Sequence, residues 1–199
     1  MLYNKNNLAV AVCAAKNSIR PELATVCFTK DYTVATDSYR LLEVSVPKVD
    51  ENEFPKIDGK EVEKTIEDKI LLSAKEISKI KIKKNKHLSI LDNVGIMKND
   101  SGKRMIVSTD LETTTRTSPG EVEDSYPDYH SLFSDGKDIL AEITVNAQLF
   151  SELLKAMQGI NHAGLVTLKI RKDHVNKPIE IHAASQTQSG RAILMPCRT

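Results

Sequence analysis

Two Thr-Asp pairs, Thr36-Asp37 and Thr109-Asp110, each close a β-rich run, and their carboxylates are the first residues whose type and placement could do chemistry. Brought together in unlike environments, two carboxylates can divide general acid and general base work. Aspartate after a strand has a commoner use, which is to hold a turn through bonds to backbone N–H groups. The five histidines, His87, His130, His162, His174 and His182, show no HExxH and no short ligand spacing, although His174 and His182 could meet on neighbouring strands. Cys13 sits in an apolar helical run and Ser73 reads as a helix cap, so neither nucleophile has a base placed beside it by the sequence. The eight glycines are scattered, with neither GxGxxG nor GxxxxGK[ST], so no phosphate cradle is signalled. The expectation is a protein that is not an enzyme and carries no catalytic residue, metal or cofactor.

Lysine is the more informative residue. Lys75, Lys79, Lys81, Lys83, Lys84 and Lys86 crowd into twelve positions and are opposed only by Glu76. One reading is a strand edge, because "KIKIKK" (79–84) alternates isoleucine inward and lysine outward, a pattern that deters edge-to-edge aggregation. The other is contact with nucleic-acid phosphate, which needs positive charge and no base specificity. Over the whole chain 28 Lys and Arg meet 27 Asp and Glu, so any such binding must come from local asymmetry rather than a global field.

The elements that would position these residues recur. Helix starts are expected at Asn7, at Ser73 with Glu76 as a capping box, and at Asn146, where Leu149, Phe150, Leu153, Leu154 and Met157 form an apolar stripe. Strand-like "DKILL" (68–72) and "AEITV" (141–145) precede the second and third helices. Strand runs follow each helix: 22–29, 32–36 and 41–46; then 88–98 and 104–117; then 165–171, 178–182 and 191–195. The chain therefore reads as an α+β protein of three helix-plus-antiparallel-meander units, with copies pairing helix beside helix on a shared sheet and the third copy in need of a partner. Lys16 and Arg20 near the end of the first helix, Lys75 and Lys79 around the second, and Lys155 on the third fall in corresponding places. They would share one surface if the helices line it.

Between the first and second units, "KVDENEFPKIDGKEVEKTIEDK" (48–69) reads as a loop with a short helix. "SPGEVEDSYPDYHSLFSDGKD" (118–138) reads as a linker, with a domain boundary near 135: residues 1–135 hold two units and 136–199 hold a half domain. Cys13, Cys27 and Cys197 form no CxxC pair and suggest reduced thiols in the cytoplasm. The apolar run 8–15 is too short to span a bilayer, and no export or membrane association is expected.

The motifs gathered this way resemble the bacterial DNA sliding clamp, the beta subunit of DNA polymerase III. The run 20–47 is similar to that family's middle domain, where a strand leads into a Thr-Asp-Gly-(aromatic or His)-Arg-Leu turn; here the turn reads Thr36, Asp37, Ser38, Tyr39, Arg40, Leu41. "ILLSAKEISKI" (70–80) resembles the same domain's second strand and helix, "SYPDYHSLF" (125–133) its linker motif, and "AILMPCRT" (192–199) the family's C-terminal pattern. The resemblance covers the middle domain and the second half of the last one, about one and a half clamp domains. It implies the DNA-clamp fold, with helices lining a hole and sheets outside. It further implies a pocket for the short linear motifs of polymerases, clamp-loader type proteins and repair proteins, at Leu23, Thr36, Ser38, Tyr39, Arg40, Leu41, Pro127, Leu132, Ile193 and Met195. Aliphatic and proline walls suit leucine or phenylalanine anchors, and Thr, Ser and Arg can orient a peptide backbone. Singly, Leu41, Ile193 and Met195 could equally pack a domain junction. Ser38 stands where the family often has glycine, so a positive φ there would carry strain. The expected function is a homo-oligomeric replication clamp that binds DNA by its backbone and tethers partners as a processivity factor. The alternative is an adaptor or competitor that keeps the peptide pocket without encircling DNA.

Overall fold

The first element is a strand that the sequence pattern does not announce: β1, Leu2–Asn4, runs straight into helix α1, Lys5–Ala9, and a 3-10 turn over Val10–Cys13. The computed structural model describes residues 1–66, 69–82, 85, 87–133, 141–158, 160, 163–171, 177–186 and 188–197. After a 3-10 turn at Pro21–Ala24 come β2 (Thr25–Phe28), β3 (Tyr32–Thr36) and β4 (Leu41–Ser45), then β5 (Ile70–Ser73) and α2 (Ala74–Ile77). Strands β6 (Asn93–Lys98), β7 (Arg104–Thr109) and β8 (Thr114–Thr117) form the second meander. Helix α3 (Ala147–Gln158) and strands β9 (Thr167–Lys169), β10 (Ile179–Ala184) and β11 (Ser189–Leu194) form the third. Met1–Asp128 and Tyr129–Thr199 are two compact units.

In the first unit the repeats are not laid on one shared sheet as expected. They exchange strands instead. The sheet orders are β4-β3-β2-β5 and β1-β6-β7-β8, all antiparallel, so the strand preceding each helix completes the meander of the other repeat. The exchange covers what would otherwise be a bare edge on β2 and on β6. It also joins the repeats through one core: Tyr3 from the first packs edge-on against Phe28 with ring centroids 5.0 Å apart, and Leu72, Ile77, Val94 and Ile96 from the second share the same cluster.

Three local expectations are corrected. The first helix starts at Lys5 and not at Asn7; Asn4 is the cap, its side chain accepting from Asn6 N and Asn7 N while Asn7 Oδ1 accepts from Asn4 N at 3.1 Å. Asn7 is instead fully buried, and its Nδ2 donates to Thr33 Oγ1, Val44 O and Ser45 O, tying α1 to β3 and β4. Ser73 precedes α2 but makes no side-chain capping bond, and the Glu76 carboxylate accepts from Gly120 N at 2.6 Å rather than from Ser73 N. Among the described residues of "KIKIKK" no strand forms. The alternation survives in burial alone, with Ile80 and Ile82 packed on the core and Lys79 and Lys81 exposed, while Lys83 and Lys84, like Lys86 just after them, lie outside the described residues.

The loop 48–69 carries a 3-10 turn at Glu51–Glu53 and buries Phe54, Ile57 and Val62 in a second cluster with Leu2, Met97 and Val107. The stretch after β8 is tied down as well: Ser73 N donates to Gly120 O and Val122 N to Leu71 O, at 2.8 and 3.0 Å. Residues 141–145, expected as a strand, join no ladder, although Ile143 and Val145 pack on the second unit's core beside Leu154, Met157 and Ile181.

Candidate peptide-binding surface

The hairpin between β3 and β4 explains the polar interruption of its strands. Thr36 pairs with Leu41, and the four residues between them form a loop closed by Asp37 N to Arg40 O. Thr36 Oγ1 donates to Arg40 O at 2.8 Å and accepts from Ser38 N at 3.1 Å. Asp37 Oδ1 accepts from the amides of Tyr39 and Arg40, both at 3.0 Å, and Oδ2 takes Arg40 Nε at 3.0 Å. Desolvation pushes the Asp37 carboxyl upward, but those two amides and the Arg40 guanidinium together outweigh it and hold the group below the usual carboxylate range. Ser38 takes φ +74, the conformation for which glycine is the ordinary residue.

The hairpin between β7 and β8 repeats this construction. Thr109 Oγ1 donates to Thr113 O and accepts from Leu111 N; Asp110 Oδ1 accepts from Glu112 N and Thr113 N; Leu111 takes φ +76. Both aspartates are therefore braces of equivalent turns rather than a matched pair of carboxylates. Between β10 and β11 the loop has the same length, Ala184 opposite Ser189, with Ser185 in the aspartate's place bonding Gln188. Among the described residues no group of three or more His, Cys, Asp and Glu side chains could hold a metal. His162 and His174 lie outside those residues, and His182 sits 3.2 Å from Glu180.

In the first unit the structure gathers Leu23, Thr36, Ser38, Tyr39, Arg40, Leu41 and Pro127 around one end of the β4-β3-β2-β5 sheet. The register Cys27 opposite Val34 carries Thr25 to the level of Thr36, so Leu23 lies beside the base of the turn. Burial raises the pKa of the Tyr126 phenol, which lies close to the Thr36 backbone and to Cys27, and Pro127 follows it in the chain. These residues play unequal parts. Leu23 and Thr36 are buried and shape the turn from beneath, Leu41 and Pro127 are half-buried, and Ser38, Arg40 and Tyr39 face solvent, Tyr39 at 97% exposure. In the second unit Leu132, Ile193 and Met195 are exposed by 78%, 63% and 58%. Ile193 points away from the core side of β11, opposite Glu180.

Two concavities of the first unit lie away from this turn. One of about 510 Å³ is lined by Lys60, Glu61, Glu63, Thr65, Lys98 and Arg104 among others, and one of about 380 Å³ lies between α1 and the segment after α2, at Leu8, Val12, Ile77 and Ile80. Sequence reasoning did not find the second, which exists because the two repeats' helices pack side by side.

The candidate DNA-binding residues are exposed. Lys75 lies on α2 and Lys79 just after it; Lys16 and Arg20 come after the 3-10 turn that ends the first helical segment, later than expected. The 3-10 turn Val10–Cys13 packs against α2, and Lys16 and Arg20 lie in the exposed stretch that follows that turn. Arg20 is paired with Glu22 at 2.7 Å. Lys155 is exposed on α3 in the second unit. No described helix is long and apolar enough to cross a membrane.

The sequence matches no protein-family model and no curated protein. Solved structures do match. The beta subunit from DNA polymerase of Streptococcus pyogenes is 16% identical with a TM-score of 0.64, over 100% of this chain and 50% of that one. A structure from Eubacterium rectale ATCC 33656, assigned as a DNA polymerase III beta subunit, is 13% identical with a TM-score of 0.60, over 98% of this chain and 50% of its own. With its strand-exchanged repeats and braced hairpins, this chain has the DNA-clamp fold of the polymerase III beta subunits and spans about half their length.

Proposed function

We propose that the chain is a clamp-like DNA replication protein that binds short linear motifs of polymerases and clamp-loader type proteins and tethers them to DNA. The observation that carries this reading is the braced turn Thr36–Leu41 on a clamp fold, a fixed platform presenting one aromatic side chain to solvent. A fully exposed tyrosine on a rigid turn offers apolar area with little ordering cost on binding. Leu132, Ile193 and Met195 offer further apolar contacts, and Lys16, Lys75, Lys79 and Lys155 meet DNA phosphates without reading bases.

A fluorescein-labelled peptide with leucine and phenylalanine anchors, titrated by anisotropy, tests the peptide part. Tyr39→Ala and Met195→Ala should each weaken binding by about tenfold, the usual effect of truncating an anchoring contact. Unchanged affinity in both variants, at unchanged thermal stability, would remove the peptide site.

A further inference from the structure

We propose that the third repeat forms a two-fold dimer with the third repeat of a second copy by reciprocal strand exchange, with Val145 of each copy opposite Val166 of the other. The proposal is independent of peptide recognition. Its basis is the exchange that the first two repeats carry out within one chain.

The three hairpins align the repeats residue by residue. Thr36, Thr109 and Ala184 are the last strand residues before loops of equal length, and three residues earlier Thr33, Ile106 and Ile181 pair with Phe28, Ile96 and Leu168. Leu168 is thus the counterpart of Phe28 and Ile96. At the helix starts Asn4, Ser73 and Asn146 correspond; Leu149 N bonds Asn146 Oδ1 at 3.0 Å as a cap requires. Residues 143–145 therefore correspond to β1 and β5. The third repeat also reproduces the inner bond of the second: Cys197 N donates to Thr144 O at 2.8 Å, as Val122 N donates to Leu71 O.

That bond occupies one edge of residues 143–145 and leaves the backbone of Val145 facing the other, as the backbone of Leu72 faces Val26. Among the described residues neither this edge nor the outer edge of β9 is paired. The side chains give the same picture. Phe28, Ile96 and Ile77 are 0%, 1% and 1% exposed, whereas Leu168 is 45% exposed and Phe150, the counterpart of Ile77, is half-buried. Leu165, at the start of the same strand run, is 68% exposed. These are the positions that the exchanged strand and the neighbouring helix cover in the first unit.

One repeat thus carries both halves of the exchange, a strand to give and an edge to receive it, which is the self-complementarity of a two-fold interface. Two independent ladders specify the register. Leu72 opposite Val26 and Tyr3 opposite Val94 both map to Val145 opposite Val166, with Asn146 opposite Leu165 and Thr144 opposite Thr167. Mapping Phe28 opposite Ile70 places Leu168 against Ile143 and covers both.

The full chain tests this by light scattering and cysteine cross-linking. The expected mass is twice the 22.1 kDa chain, falling to one chain on dilution. Leu168→Glu should weaken the dimer by at least about tenfold, since it sets an unpaired charge in the joint. Its side chain is half exposed in the single copy, and unchanged circular dichroism verifies folding. In a Cys197→Ser background, Thr144→Cys with Thr167→Cys should oxidise to a covalent dimer, because that pair faces solvent at a non-hydrogen-bonded position with Cα atoms about 4.5 Å apart. Thr144→Cys with Lys169→Cys, two residues out of register, should not. A single-chain mass at all concentrations, a dimer indifferent to Leu168→Glu, or cross-linking only in the shifted pair would each overturn the proposal.

Discussion

Ser38 is held at φ +74 by its neighbours rather than by its own preference. Thr36 Oγ1 takes its amide, Asp37 Oδ1 takes the next two, and the β3-β4 register leaves four residues to reverse the chain. A Cβ in that region costs of order 1 kcal/mol, and nothing in the turn requires the serine hydroxyl. Ser38→Gly should therefore raise stability by about 0.5–1 kcal/mol, read as a higher urea midpoint at unchanged slope. Glycine also frees the unfolded chain, which opposes the gain, so a lowered midpoint would mean that the turn's bonds already absorb the strain. The resemblance identified Ser38 as the residue that departs from the clamp pattern. The structure places it at φ +74, the conformation in which glycine is the ordinary residue.

Helix starts carry the next lesson, since three asparagines and a serine that look alike in sequence do unlike things. Asn4→Ala removes the two bonds its side chain accepts, from Asn6 N and Asn7 N, and should cost about 1 kcal/mol, whereas Ser73→Ala, with no capping bond to lose, should stay within about 0.5 kcal/mol. Asn7→Ala should cost more than either, about 2 kcal/mol or above, because it leaves the buried Thr33 hydroxyl and two strand carbonyls without their donor. Chemical denaturation of the three variants ranks them, and equal losses would sink the distinction. Period and turn chemistry made the meanders legible: 32–36 and 41–46 were expected and Tyr32–Thr36 and Leu41–Ser45 form. The Thr-Asp turns were legible for the same reason, a local hydrogen-bonding pattern. β1 was not, because three residues show no period, and the strand exists only through its long-range partner β6. The failure at "KIKIKK" has a similar cause, since alternation reports which side chains go inward and not whether a neighbouring strand is available. Of the candidate site, residue types could identify the turn but not that Leu23 is buried and Tyr39 almost fully exposed. That division depends on how β2 enters the sheet.

At the scale of the molecule, the proposed replication role on a chain of near-zero net charge would require DNA to be attracted by local charge, around α2 first of all. Lys75 lies on α2 and Lys79 just after it, both exposed, and Lys16 is exposed after the first 3-10 turn. Each lysine that meets a phosphate releases about one counterion, so affinity should fall steeply with salt. Lys75→Glu with Lys79→Glu should weaken duplex binding and flatten the slope of log affinity against log salt by about two per chain, with no change in sequence preference. Arg20→Glu should act less on affinity, because Glu22 already partners that guanidinium at 2.7 Å and its approach to phosphate means giving up the pair. The ordering separates two origins of any binding. If both variants change the slope in proportion to the charge they alter, attraction follows formal charge anywhere on the surface; if the lysine pair dominates beyond that proportion, the face around α2 is the one DNA meets. Retention on circular but not linear duplex, measured on the same proteins, then distinguishes an encircling assembly from a face that merely adheres, since only encirclement depends on free ends.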